Sequence, residues 1–143
     1  MGVEGLKAFF DDVREVAQKS DEEIVICGFQ EDYFEKKLGD FLDFQRKEMA
    51  SYKNVHMRCL IEEGDINQGA STYCRYRWQA KENFSSVPFY TYGDRTAIIA
   101  TSAPEDPLIL LIRNPTISQA YRRQFGAMWS AAKELPQDTG GKK

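Results

Sequence analysis

Phe89-Tyr90-Thr91-Tyr92-Gly93-Asp94-Arg95-Thr96-Ala97-Ile98-Ile99 reads as two strand-forming runs joined by a tight turn. Aromatic and β-branched residues suit a pleated, half-buried surface. Gly93-Asp94 between them gives the two-residue connection of a β-hairpin. Pro88 stands near the start of the first run, which begins at Val87, where the missing N–H is tolerated. The return strand runs from Thr96 to Thr101, and Ser102 to Pro107 makes a second turn. Leu108 to Ile112 is then a fully apolar strand stopped by Arg113-Asn114-Pro115. The second half of the chain is therefore expected to hold an antiparallel meander.

The first half carries a different signature. Ile24-Val25-Ile26-Cys27-Gly28-Phe29 is a short apolar run of the kind found in strands buried on both faces. Phe34, Leu38, Phe41, Leu42, Gln45 and Met49 then recur at helical spacing, predicting a helix from about Asp32 to Tyr52 despite Gly39 inside it. Val55 to Glu62 reads as a second strand, so the segment is a βαβ unit with a right-handed crossover. Ahead of it, Leu6, Phe9, Phe10, Val13, Val16 and Ala17 form one apolar helical face over residues 3–18. Tyr73 to Trp78 alternates, with Arg75 and Arg77 on one side and Tyr76 and Trp78 on the other. A last helix follows Asn114 or Thr116 as its cap and aligns Ile117, Ala120, Tyr121, Phe125, Met128, Trp129 and Ala132. The expected fold is α/β, a mixed β-sheet of five to seven strands flanked by helices. It occupies residues 1–135 as one domain, followed by a polar tail over 136–143.

Composition narrows the function classes. The chain has 143 residues, 42% apolar and 29% charged, enough to bury a core without staples. No apolar run approaches the roughly 20 residues of a membrane span. With a net charge of −3 there is no global basic field to hold nucleic acid. Cys27, Cys59 and Cys74 are odd in number and lack metal-site spacing, so they read as buried thiols in a reducing compartment. No metal or other cofactor is expected. The first residues lack a charged-then-apolar leader, which suggests a cytoplasmic protein.

The hairpin resembles the Tyr-Gly-Asp-Lys-Val-Ala-Ile-Ile hairpin of TrmB-type transcriptional regulators. Leu108 to Pro115 is similar to that family's apolar strand ending in Arg-Asn-Pro, and Phe125 with Trp129 to its closing Phe-x-x-x-Trp helix. Gly5 to Asp12 resembles the helix joining a winged helix to the effector domain, and Ile24 to Gly28 the effector's first strand. The resemblance implies a phospholipase-D-like fold and a ligand-sensing effector domain of a regulator. It further implies a homodimer to which the first helix contributes through Leu6, Phe9, Phe10 and Val13. A winged helix would need roughly 60 more residues ahead of Gly2, so DNA would be reached only through a domain absent from this chain.

In the phospholipase-D superfamily, the resemblance further implies, the enzymes use a His-x-Lys-x4-Asp motif, with the histidine attacking phosphorus. Here His56, Arg58 and Glu63 mimic that spacing loosely, with arginine in place of lysine, and the two are not interchangeable in a tight phosphate site. Counted back from the hairpin, the motif's places fall near Ser85 and Val87, neither of which can do its work. No Gly-x-Ser-x-Gly elbow or glycine-rich phosphate loop is present. A non-catalytic domain is expected, with a degenerate phosphodiesterase using His56, or a protein-interaction module without a small ligand, as rivals. Paired arginines on a strand can grip a carboxylate or phosphate. Arg58, Arg75, Arg77, Trp78, Tyr90 and Tyr92 are therefore the candidate ligand-binding residues, placed at a cleft by the sheet's carboxyl ends.

Overall fold

The computed structural model describes residues 2–66, 68–84, 87–101 and 107–136. The strands are β1 (Ile24–Cys27), β2 (Met57–Glu62), β3 (Cys74–Gln79), β4 (Phe89–Tyr92), β5 (Arg95–Ala100), β6 (Leu108–Arg113) and the two-residue β7 (Lys133–Glu134). They form one sheet in the order β6-β5-β4-β1-β2-β3-β7. All four residues of β1 are buried, as a central strand covered on both faces requires. β1, β2 and β3 are parallel, while β4, β5 and β6 make the antiparallel meander. The hairpin pairs Tyr92 with Arg95, and Gly93 takes φ +59° while Asp94 keeps a negative φ, the pattern of a type II′ turn.

Helices cover the two faces. α1 (Gly2–Lys19), α2 (Glu31–Leu38) and α3 (Asp40–Ser51) lie on one side, and α4 (Pro115–Ala131) on the other. The single helix expected over 32–52 is two helices. Gly39 adopts φ +51°, ψ −119°, a conformation that side-chain-bearing residues avoid, and the axis breaks there. Asn114 rather than Thr116 caps α4, accepting from the Ile117 N–H at 3.0 Å, with Pro115 in the first turn. The connection from β2 to parallel β3, residues 63–73, contains no helix among its described residues. The turn expected over 102–107 lies, except for Pro107, outside the described residues, as do Ser85 and residues 137–143 of the tail.

The larger core lies between α1–α3 and the sheet, and its centre is aromatic. Phe9 meets Tyr90 edge-on at 4.8 Å, Phe10 meets Phe34 at 5.7 Å, and Phe34 stacks on Phe29 at 4.9 Å. The four residues expected at a dimer interface are spent here. Leu6, Phe9, Phe10 and Val13 are 0–5% exposed within the single chain. Two adjacent phenylalanines widen the stripe because α1 packs on β4 and α2 at once, not because the face waits for a partner. Apolar side chains do remain open on the edge strand β6, where Leu108, Leu110 and Leu111 are about half exposed, and singly elsewhere at Phe44, Ile66 and Val87. The fully apolar run of that strand therefore does not mark a buried position.

Candidate functional site

Three of the six candidate ligand-binding residues meet on one face. Alternation along β2 and β3 turns Arg58, Arg75 and Arg77 toward the α4 side, and the parallel register sets Arg58 beside Arg75 and Leu60 beside Arg77. α4 brings the partner. Phe125 and Trp129 stand one turn apart, their rings stacked at 5.8 Å on buried Leu60 and Val25. The guanidinium carbons of Arg77, Arg58 and Arg75 lie 4.7, 5.2 and 5.8 Å from the Trp129 ring centroid. Arg58 is also 5.3 Å from that of Phe125. At these distances the ring quadrupole attracts the cations.

The three arginines are committed to different degrees. Arg58 makes a two-pronged pair with Glu23, at 2.7 and 2.8 Å, which holds it firmly against the ring. Arg77 donates to the Trp129 carbonyl at 2.8 Å and reaches exposed Glu134 on β7 at 3.5 Å. Arg75 is exposed and has no carboxylate partner among the described residues. One guanidinium is thus held over an aromatic platform with its hydrogen-bonding fork free. Such a fork matches a carboxylate or phosphate edge, and the indole gives a planar group something to stack on. None of these four side chains is a nucleophile; what they can do is bind and orient an anion. The arginines lie along the sheet face, not in a cleft beyond its carboxyl ends.

The other three candidates are elsewhere, for a reason the alternation itself supplies. Trp78 points to the α1 side, where its Nε1–H donates to the Asp65 carbonyl at 2.7 Å and anchors the β2–β3 connection. Tyr90 and Tyr92 share one face, as expected, but that face is roofed by α1 and both side chains are buried. They sit well inside the sheet, not at its edge. The Tyr92 hydroxyl donates to Asp12 at 2.9 Å, and the same carboxylate pairs with Arg95. Burial, and then the neighbouring Asp12, push the Tyr92 hydroxyl well above the ordinary phenol range.

Local sequence does not assign Trp129 or Glu23 to this face. The spacing of Phe125 and Trp129 shows a buried helix face. Nothing in it reveals that the ring would be met by arginines from two strands. Nor does local sequence assign Arg122. Half-buried on α4, it donates to the carbonyls of Glu23 and Gly93 and pairs with Glu22, fixing the helix over the start of β1 and the hairpin turn. His56 is exposed beside this region, where Glu23, Met57, Tyr73 and Arg75 line the same shallow depression of about 280 Å³. No lysine lines it among the described residues. Among the described residues no helix is long and apolar enough to cross a membrane.

No protein-family model matches the chain, and no curated protein matches its sequence. Solved structures do match in shape. TrmBL2, described as an archaeal chromatin protein with a novel mode of DNA binding, superposes with a TM-score of 0.55 at 13% identity over 94% of this chain. The match spans about half of TrmBL2, 52% of its length. Nuc from Salmonella typhimurium, a phospholipase D family member, superposes with a TM-score of 0.56 at 11% identity, covering 89% of this chain and 90% of Nuc. The mixed seven-stranded sheet with helices on both faces is thus a phospholipase-D-like fold, related in shape to TrmB-like proteins. At such low identity the likeness carries the fold alone.

Proposed function

We propose that this chain is a non-catalytic effector domain of a TrmB-like regulator and that it binds a small anionic effector, a carboxylate or phosphate, at Arg58, Arg75 and Arg77. The observation that carries the reading is the free fork of Arg75 on the Trp129 platform, beside two arginines already held in place. A regulatory setting is supported by the likeness to TrmBL2. DNA contact would come from a part of the full regulator other than this acidic domain. An effector that prefers the folded domain raises its melting point. A thermal-shift screen of sugars, nucleotides and small metabolites should therefore give stabilisation by anions, lost in Arg75→Ala. A ligand at ten times its Kd contributes about 1.4 kcal/mol. Stabilisation that is equal in wild type and Arg75→Ala would remove the site.

The rival enzyme reading rests on His56 lying with Glu23 and Arg75 around one depression. It calls for phosphodiester cleavage that falls in His56→Ala. We expect equal background rates for the two proteins. Homodimerisation remains part of the proposed reading, but it has to use surfaces other than the buried face of α1. The open β6 edge, with three half-exposed leucines on one strand, is the apolar surface we propose for it.

A further inference from the structure

A second feature lies on the opposite side of the sheet. Between α1, α3 and the strands β1, β2, β3 and β4 there is a partly open cavity of about 50 Å³. Its walls are mostly apolar, from Phe10, Ile26, Phe29 and Met49. Glu31 also lines it, but its carboxylate is taken by Arg46, and the other polar groups that reach the cavity are mainly donors. Tyr90 is 2% exposed, and its hydroxyl has no hydrogen-bond partner among the described residues. That oxygen is not sealed off like Gln79 Oε1 and Arg95 Nε, the buried atoms that lack a partner among the described residues, so it opens onto the cavity, where a water or a ligand atom can satisfy it. Gln45 is 4% exposed. Its Oε1 is taken by the Arg14 Nε–H at 2.7 Å, which leaves the amide N–H groups without a partner among the described residues. Tyr76 accepts from the Ala70 N–H at 3.1 Å and keeps its own proton to donate. Burial is the first cause holding the hydroxyls of Tyr73, Tyr76 and Tyr90 protonated far above neutral pH.

The mouth is built as well. Arg46 of α3 pairs with buried Glu31 of α2 and reaches Glu35 at 3.4 Å. Its guanidinium lies flat on Gly69 of the β2–β3 connection, where a Cβ would come within 2.6 Å of it. The lone glycine hydrogen is what permits that closure. Arg46 thus spans two helices and a loop at the rim of the cavity, and swinging it aside is the shortest route in.

We infer that this cavity is a binding site for a small neutral molecule with an apolar body and one acceptor oxygen, such as a carbonyl, held by the Tyr90 hydroxyl and the Gln45 amide. Neutrality follows from the walls. An anion would have to shed its water among aromatic rings, and the nearest cation, Arg46, is already paired with Glu31. Size follows from the volume. Each water needs on the order of 10–15 Å³, so the space takes a few waters or one ligand of about four to six heavy atoms. The site stands on different residues from the arginine face and holds whichever way that face is decided.

The test uses Met49 and Met57, whose side chains line the cavity. With ¹³C-methyl-methionine protein, acetone and cyclopentanone are titrated while the methyl resonances are followed. The two methyls are expected to shift saturably, and Met128, on α4 at the other face of the sheet, to stay still. Tyr90→Phe deletes only the hydroxyl. It should fold with an unchanged or higher melting point, since that hydroxyl has no partner, and weaken the ketone at least tenfold. Gln45→Leu is the second variant, expected to weaken binding in the same direction. No saturable shift in wild type, or equal affinity in wild type and Tyr90→Phe, would overturn the assignment and leave the cavity to ordered water.

Discussion

Phe9→Ala separates a core residue from an interface residue. Phe9 is 5% exposed and its ring lies 5.0 Å from Phe10, 4.8 Å from Tyr90 and 5.9 Å from Tyr92. Deleting a buried ring removes its transfer free energy and leaves a cavity that the neighbours fill only in part, a cost of about 3–5 kcal/mol. The two edge-on contacts with tyrosines place this site toward the upper end, since such pairs add about 0.5–1.5 kcal/mol beyond burial. A domain of this size has on the order of 5–15 kcal/mol in total, so the variant folds but is badly weakened. With a urea slope of about 2 kcal/mol/M, the midpoint should fall by about 2 M. The milder Phe9→Leu should cost about 1.5 kcal/mol or less. Both variants should keep the wild-type oligomeric state by light scattering, because α1 turns this face inward. A midpoint shift under about 0.5 M, together with dissociation of a wild-type oligomer, would refute the assignment of Phe9 to the core and restore the interface reading.

Two further outcomes concern the backbone and pH. Gly39→Ala meets no neighbouring atom, yet the residue must hold φ +51°, ψ −119°, so strain alone should cost about 1–3 kcal/mol, read in the same urea titration. Burial pushes the Cys27 thiol up to about 11 from an ordinary 9. A group whose folded value is raised stabilises fully below its unfolded value and loses that contribution as pH rises through the folded one. Cys27 should therefore cost about 2–3 kcal/mol of stability between pH 9 and 11, and Cys27→Ala should flatten that slope. An identical slope in the variant would show that Cys27 is not the cause.

The fold was legible where side-chain period and backbone agree. The Tyr92–Arg95 hairpin, the βαβ unit and the buried run of β1 all follow from local pattern. Three features escaped it. Gly39 breaks a helix whose apolar spacing continues across it, because a backbone angle leaves no mark on periodicity. β7 is two residues long and exists only because α4 delivers Lys133 and Glu134 to the edge of β3. β6 is apolar yet half open, since a strand's place in the sheet order is set by long-range pairing. For the site, alternation placed Arg75 and Arg77 on one face correctly but could not say that Tyr90 and Tyr92 face a helix. Arg58 joins the other two through parallel register, and Trp129 through a helix packed from the opposite end of the chain. Both are tertiary facts with no local signature.

Binding of inorganic pyrophosphate, followed by tryptophan fluorescence at low salt in wild type and Arg75→Ala, tests the anion site most directly. Wild type should respond saturably as the ligand settles beside Trp129, while Trp78, bonded to Asp65 in the other layer, gives a constant background. Losing one charge-assisted contact of about 1.5–3 kcal/mol should weaken binding at least tenfold in the variant. No response in wild type, or the same affinity in both proteins, would contradict an effector site on the arginine face.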